Sequence, residues 1–207
     1  MLESDQRPPP PDTIAAFDFD GTLTTRDSFF AFIRSCRPPA RLAADCLATM
    51  PLLALYAAGL APNSAHKMAL FRRCFAGMPL AEYRDQAASF SREELPRMLR
   101  ATAIGCLRRH KERGHRVVIV TASFADWIEP WAASEGVDEV IASCAEVEDG
   151  RITGRMAGPN CHGPEKLRRL LARFPEPTTY RLFAYGDSPG DRALLAAANH
   201  AFYRRFK

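Results

Sequence analysis

The chain has 207 residues, 47% of them hydrophobic and 25% charged, with a net charge of +4. That length suits one domain, or one domain carrying a sizeable insertion. The composition excludes a disordered tail, a collagen-like chain and a coiled coil, and so balanced a charge argues against nucleic acid as a partner.

Residues 1–12 (MLESDQRPPPPD) lack an apolar h-region and read as a flexible lead-in rather than a signal peptide. Thr13 to Asp20 (TIAAFDFD) predicts a short buried strand, broken by Gly21. From Ser28 to His110 the spacing turns helical. Phe29, Phe30 and Ile33 open one helix, which Pro38 and Pro39 close. Met68, Phe71, Cys74 and Phe75 share a face of another, with Gly77 as its stop. Leu80, Tyr83, Ala87 and Phe90 follow helical spacing, as do Leu95, Met98, Thr102 and Cys106.

Cys46 to Ala65 carries no charge. Pro51, Gly59 and Pro62 interrupt it, which argues against a membrane-spanning helix of about 20 apolar residues. The stretch reads first as a buried helix of a small bundle and alternatively as a segment lying in a membrane interface. Charge is also unevenly placed: Ser28 to Lys111 holds 13 basic and 5 acidic residues, a net of +8 within a remainder of −4. A solvated helical face gives that pattern, and so does a surface drawn to an anionic substrate or membrane.

After Gly114 the pattern changes. Arg116 to Thr121 (RVVIVT) is a β-branched run typical of a parallel strand buried on both faces. A helix follows over Asp126 to Ser134, in which Trp127 and Trp131 form a core stripe, and then a strand over Asp138 to Ala142. Glu146 to Met156 predicts a hairpin turning at Asp149 and Gly150. Pro164 to Phe174 predicts a helix, Arg181 to Asp187 a strand, Pro189 to Ala198 a helix and Ala201 to Tyr203 a last short strand. Alternating strands and helices imply an α/β fold with a doubly wound, mostly parallel sheet. The six cysteines form no C-x-x-C pair and read as reduced thiols, mostly core filler, in a cytoplasmic protein.

Ligands of such sheets bind beyond the carboxyl ends of the strands. Three predicted strands end in chemically capable residues: Asp18 with Asp20, Thr121 with Ser123, and Asp187. Two carboxylates at one point repel unless a cation or proton intervenes, and Asp187 adds a third. Three acids form a hard-cation site, for which Mg²⁺ is the natural cofactor. Thr121 supplies a hydroxyl, Gly21 and Thr22 supply backbone N–H groups, and Lys166 supplies a positive charge. A phosphoryl group asks for that set.

Asp18-Phe19-Asp20-Gly21-Thr22-Leu23-Thr24 resembles the D-x-D-G-T-[LV]-[TV] signature of the haloacid dehalogenase (HAD) superfamily. Val118 to Ser123, Lys166, and Gly186-Asp187-Ser188-Pro189-Gly190-Asp191 resemble its second, third and fourth motifs, in order. The resemblance implies a Rossmann-like core with an inserted helical cap, here residues 13–27 and 111–207 with the cap at 28–110. It implies that Asp18 is the nucleophile, forming an aspartyl-phosphate, and that Asp20 is the acid and base. Mg²⁺ would be held by Asp18, the Asp20 carbonyl and Asp187. Thr121 and Lys166 would bind phosphoryl oxygens, with Asp191 in support and His162 as the substitute for Lys166.

The position of the insertion resembles the phosphoserine phosphatase-like branch, subfamily IB. Phosphoserine phosphatases carry a Glu where Asp27 stands, so Asp27 reads as a substrate contact or as a helix cap. The run Gly158-Pro159-Asn160-Cys161-His162-Gly163-Pro164-Glu165-Lys166 is more similar to phosphatidylglycerophosphatase C-like proteins. That likeness implies a lipid headgroup as substrate and peripheral contact with the inner face of a membrane through the cap. A small soluble phosphate such as phosphoserine is the alternative. A receiver-like phospho-aspartate switch and a catalytically silent membrane-binding module are rivals of another class.

Overall fold

The computed structural model describes residues 12–60 and 63–207. The predicted lead-in falls outside these, except for Asp12. Five parallel strands form one sheet in the order β3-β2-β1-β6-β7: β1 (Asp12–Phe17), β2 (Arg116–Phe124), β3 (Glu139–Ser143), β6 (Tyr180–Gly186) and β7 (His200–Tyr203). β4 (Ala145–Glu148) and β5 (Arg151–Met156) pair as a separate antiparallel hairpin, turning through Asp149 and Gly150 at positive φ. This is the α/β architecture that the alternating pattern predicts.

Period-two alternation along the strands divides the core. Ala15, Phe17, Val117 and Ile119 face one side, with Ile104 and Leu107 of α5 (Ala101–Glu112) and Trp127, Ile128 and Trp131 of α6 (Ala125–Ser134). Ile14, Ala16, Val118 and Val120 face the other, with Leu170 of α7 (Pro164–Arg173) and Leu194 of α8 (Arg192–Ala197). Central strands buried on both faces explain why Arg116 to Thr121 reads as a continuous apolar run.

Between β1 and β2 lie α1 (Ser28–Cys36), α2 (Pro39–Ala57), α3 (Asn63–Phe75), α4 (Leu80–Glu93), a short 3-10 turn (Leu95–Met98) and α5. Aromatic packing unites this region with α6. Phe32 stacks on Trp127 at 4.6 Å and on Phe75 at 5.3 Å, and Phe71 stacks on Phe124 at 4.6 Å. The hairpin is tied to the α3–α4 turn by hydrogen bonds from Gly77 N to Ile152 O and from Ile152 N to Met78 O.

Three expectations change. The helical spacing from Leu95 to Cys106 is interrupted, because Leu99 and Arg100 are extended before α5 begins. The strand beginning at Thr13 stops at Phe17, three residues short of Asp20. The uncharged stretch after Cys46 is not buried. Much of α2 faces solvent, with Leu47 72% and Met50 52% exposed and Leu53 and Leu55 also exposed. Its inner face packs through Asp45 and Thr49, and Thr49 Oγ lies 3.4 Å from Nε2 of His66 on α3. Among the described residues, no helix is long and apolar enough to cross a membrane.

Candidate active site

The end of β1 determines where the acids go. The Asp18 N–H donates to Tyr185 O at 2.9 Å, extending the β1–β6 pairing by one residue. The chain then closes a wide turn over Phe19–Leu23, with Thr24 N donating to Phe19 O. Gly21 makes this turn at φ +81, where L side chains are strained. A Cβ there would also lie 2.6 Å from Asp187 Oδ2, so this glycine allows the two segments to touch.

Lys166, near the start of α7, is buried and donates to Asp18 Oδ1 at 2.6 Å and to Asp191 Oδ1 at 2.5 Å. Burial disfavours its charge, but the two carboxylates outweigh burial and hold it protonated. Asp191 Oδ2 accepts from Asp187 N, Ser188 N and Ser188 Oγ. Burial raises the Asp191 carboxyl, and Lys166 with these hydrogen bonds more than reverses that. Burial pushes the Asp18 carboxyl up to about 7 against the pull of Lys166.

Asp18, Asp187 and Asp191 each present a carboxylate oxygen, all within 4.8 Å of one another. Asp191, expected in support, joins Asp18 and Asp187 in this cluster, and the Asp20 carboxylate does not. Asp20 lies in the turn after β1, and its carboxylate is held by other partners. It accepts from Ser28 N at 2.8 Å, from Ser28 Oγ at 3.1 Å and from Ser123 Oγ. Burial first, and repulsion by Asp27 next, raise the Asp20 carboxyl to about 6. A carboxyl in that range can both give and take a proton near neutrality.

The donor set fits a hard divalent cation. Asp191 is fully engaged, but Asp18 Oδ2 and Asp187 Oδ1 share only the Thr22 hydroxyl, 3.3 Å from each. Lys207 Nζ holds the other Asp187 oxygen at 2.5 Å. Two carboxylate oxygens are thus left facing a common point, and Mg²⁺ prefers oxygen ligands of this kind.

The remaining predicted residues sort clearly. Thr121 and Ser123 stand near the end of β2, with Thr121 Oγ accepting from Ser123 N at 3.1 Å. The Gly21 N–H donates to Thr24 Oγ at 3.1 Å, so this donor is engaged rather than open to a phosphate. His162 is exposed on the wall of the site, whereas Lys166 reaches Asp18. Asp27 caps α1, accepting from Phe29 N and Phe30 N.

A cleft of about 360 Å³ opens onto these groups. Asp18, Asp20, Thr121, Ser123 and Lys166 line its inner end, and Phe29, Met68, Phe124 and Met156 give it apolar walls. Sequence reasoning missed two polar participants. Ser28 holds Asp20, and Lys67 on α3 pairs with Asp27 at 2.6 Å. The only signal for Lys67 is that it is the first charge after the uncharged stretch.

Comparison with known proteins agrees with this geometry. A family model described as haloacid dehalogenase-like hydrolase matches residues 15–196. The chain is 36% identical over 197 residues to the protein CicA of Caulobacter vibrioides, covering 94% of this chain and 86% of that one. It is 32% identical over 129 residues to a probable phosphatase of Mycobacterium tuberculosis, covering 61% of this chain and 44% of that one. The phosphoserine phosphatase structure from T. onnurineus superposes with a TM-score of 0.59 at 20% identity, covering 97% of this chain and 87% of that one.

Proposed function

The chain belongs to the haloacid dehalogenase-like hydrolases and is a phosphatase of that family, and from that premise we propose a Mg²⁺-dependent phosphomonoesterase working through an aspartyl-phosphate on Asp18. The observation that carries this reading is the meeting of Asp18, Asp187 and Lys166 at the carboxyl end of a parallel sheet.

In the proposed reaction a carboxylate oxygen of Asp18 attacks phosphorus and the P–O bond to the alcohol breaks. Asp20 gives its proton to the departing alkoxide. Asp20 then takes a proton from water as that water attacks the aspartyl-phosphate, releasing inorganic phosphate and restoring Asp18. Thr121 and Lys166 hold phosphoryl oxygens, and Asp191 holds Lys166. Asp18, Asp187 and the Asp20 carbonyl are the ligands assigned to Mg²⁺. When bound, the cation keeps Asp18 ionised and neutralises phosphoryl charge. Residues 28–110 act as the cap over residues 13–27 and 111–207.

The finer substrate assignment is a phospholipid headgroup such as phosphatidylglycerophosphate, met by peripheral membrane contact through the helical insertion. The exposed Leu47, Met50, Leu53 and Leu55 of α2 and the +8 charge of that segment support it. A small soluble phosphate such as phosphoserine is the second reading, supported by the likeness to the phosphoserine phosphatase fold. Mg²⁺-dependent phosphate release from lipid vesicles, phosphoserine and sugar phosphates, for wild type and Asp18→Asn, separates the two. Release from the lipid alone upholds the first, and release from soluble esters alone upholds the second. A stable phosphoprotein without turnover contradicts both and favours a switch.

A further inference from the structure

Three ionisable groups in the cleft have no part in the proposed chemistry, Asp27, Lys67 and His162, and the first two form a pair. Both Asp27 oxygens are engaged. Oδ1 accepts from Phe29 N at 3.0 Å and Phe30 N at 3.3 Å, and Oδ2 accepts from Lys67 Nζ at 2.6 Å. The ammonium also sits 5.5 Å from the Phe29 ring centroid and 5.4 Å from that of Phe30. Carboxylate and rings hold it in place. It lines the cleft and has two further N–H donors to offer.

Beyond Asp27 and the acids at the reacting end, the lining offers a substrate cation no further carboxylate. Beyond the acids at the reacting end, it consists of Phe29, Met68, Phe124 and Met156 with neutral polar groups. His162 is the other titratable group there. Its partial burial first and Lys166 next push its imidazole down from the ordinary value, which disfavours its charge. Lys67 adds to that push from across the cleft.

We propose that the Asp27–Lys67 pair makes this cleft selective for phosphate monoesters of alcohols that carry no amine, with Lys67 donating to an oxygen of the alcohol portion. An ammonium beside the leaving oxygen would have to displace Lys67 from Asp27 or lie against its like charge. A hydroxyl or ester oxygen at the same place accepts from Lys67 without disturbing the pair. This deepens the phosphatase reading and rests on it.

The test is kcat/KM with Mg²⁺ for 2-hydroxyethyl phosphate and phosphoethanolamine, which differ by hydroxyl for ammonium. p-Nitrophenyl phosphate is the common reference. Wild type favours the hydroxyl ester by roughly tenfold or more. Lys67→Met leaves Asp27 charged and unpaired, and the ratio falls to parity or reverses. Lys67→Gln moves it the same way. Lys67→Met combined with Asp27→Asn removes both charges, and the ratio settles near one, because neither the Lys67 donor nor its like charge remains. A wild-type ratio at or below one, or a ratio that neither single variant moves, overturns the proposal. In that case p-nitrophenyl phosphate turnover that Asp18→Asn abolishes still upholds the phosphatase reading. No turnover of any ester overturns that reading, and this proposal with it.

Discussion

Lys166 Nζ lies 2.6 Å from Asp18 Oδ1, both side chains almost wholly buried, although 148 positions separate them in the chain. Lys166→Met leaves Asp18 and Asp191 together without their counter-charge. Breaking a buried pair in this way costs about 3–5 kcal/mol. Chemical denaturation of the variant at pH 7 should show a loss of that size, and phosphatase activity should fall at least a hundredfold. A stability within about 1 kcal/mol of wild type would contradict the assigned role.

Gly21→Ala tests the contact between the first turn and Asp187. The new Cβ meets Asp187 Oδ2 at 2.6 Å in a backbone held at φ +81. The left-handed conformation alone costs an L residue about 1–2 kcal/mol. Because Asp187 must also shift, Mg²⁺ affinity measured by calorimetry should weaken roughly tenfold or more. Unchanged affinity would separate Asp187 from the cation site.

Asp20 is oriented by Ser28 and Ser123 and does not touch the other acids. Asp20→Asn therefore removes the proposed acid and base but leaves the proposed nucleophile in place. With p-nitrophenyl phosphate, whose leaving group needs little protonation, the first step should survive and hydrolysis should stall. Rapid quench should show a burst of about one nitrophenolate per protein followed by slow turnover. Steady turnover without a burst would contradict Asp20 as the base. Ser123→Ala should lower kcat about tenfold with little change in KM.

His110 links stability to pH. It is buried, with Nδ1 2.7 Å from His115 Nδ1 and Nε2 3.0 Å from Tyr185 Oη. Burial first and His115 next push its imidazole from the ordinary 6.5 down to about 4. Between those values the unfolded chain holds more protons than the folded one, so stability falls as the pH drops through that window. The loss is on the order of 1–2 kcal/mol once solvent screening is allowed for. Urea unfolding at pH 7 and pH 4.5 should show it, and His110→Gln should show a smaller difference. The same difference in the variant would assign the pH effect elsewhere.

Much of this architecture is legible in the sequence because it is written in local periodicity. The run from Arg116 to Thr121 announces a strand buried on both faces, and the Asp149–Gly150 dipeptide announces the hairpin turn. Asp18, Thr121 and Asp187 are legible as a group because a parallel sheet brings successive strand ends together. What the sequence hides are pairings between distant elements. Asp27 and Lys67 are 40 positions apart, on a cap and a helix with no shared motif. The closeness of Asp191 to Asp18 and Asp187 likewise joins distant parts of the chain, and the end of β1 at Phe17 is a boundary that an unbroken TIAAFDFD run does not reveal. The exposure of α2 is equally silent, since an uncharged helix reads the same whether its leucines meet a core or solvent.

Borohydride trapping reads phosphorylation of Asp18 at the residue itself. Wild type and Asp20→Asn are mixed with p-nitrophenyl phosphate and Mg²⁺, quenched within milliseconds, reduced and mapped by peptide mass spectrometry. Hydride reduction of an aspartyl-phosphate converts that aspartate to homoserine. Homoserine is expected at position 18 in both proteins, with more in Asp20→Asn and none when Mg²⁺ is left out. Homoserine at another aspartate, or rapid turnover with Asp18 unmodified, would contradict Asp18 as the nucleophile.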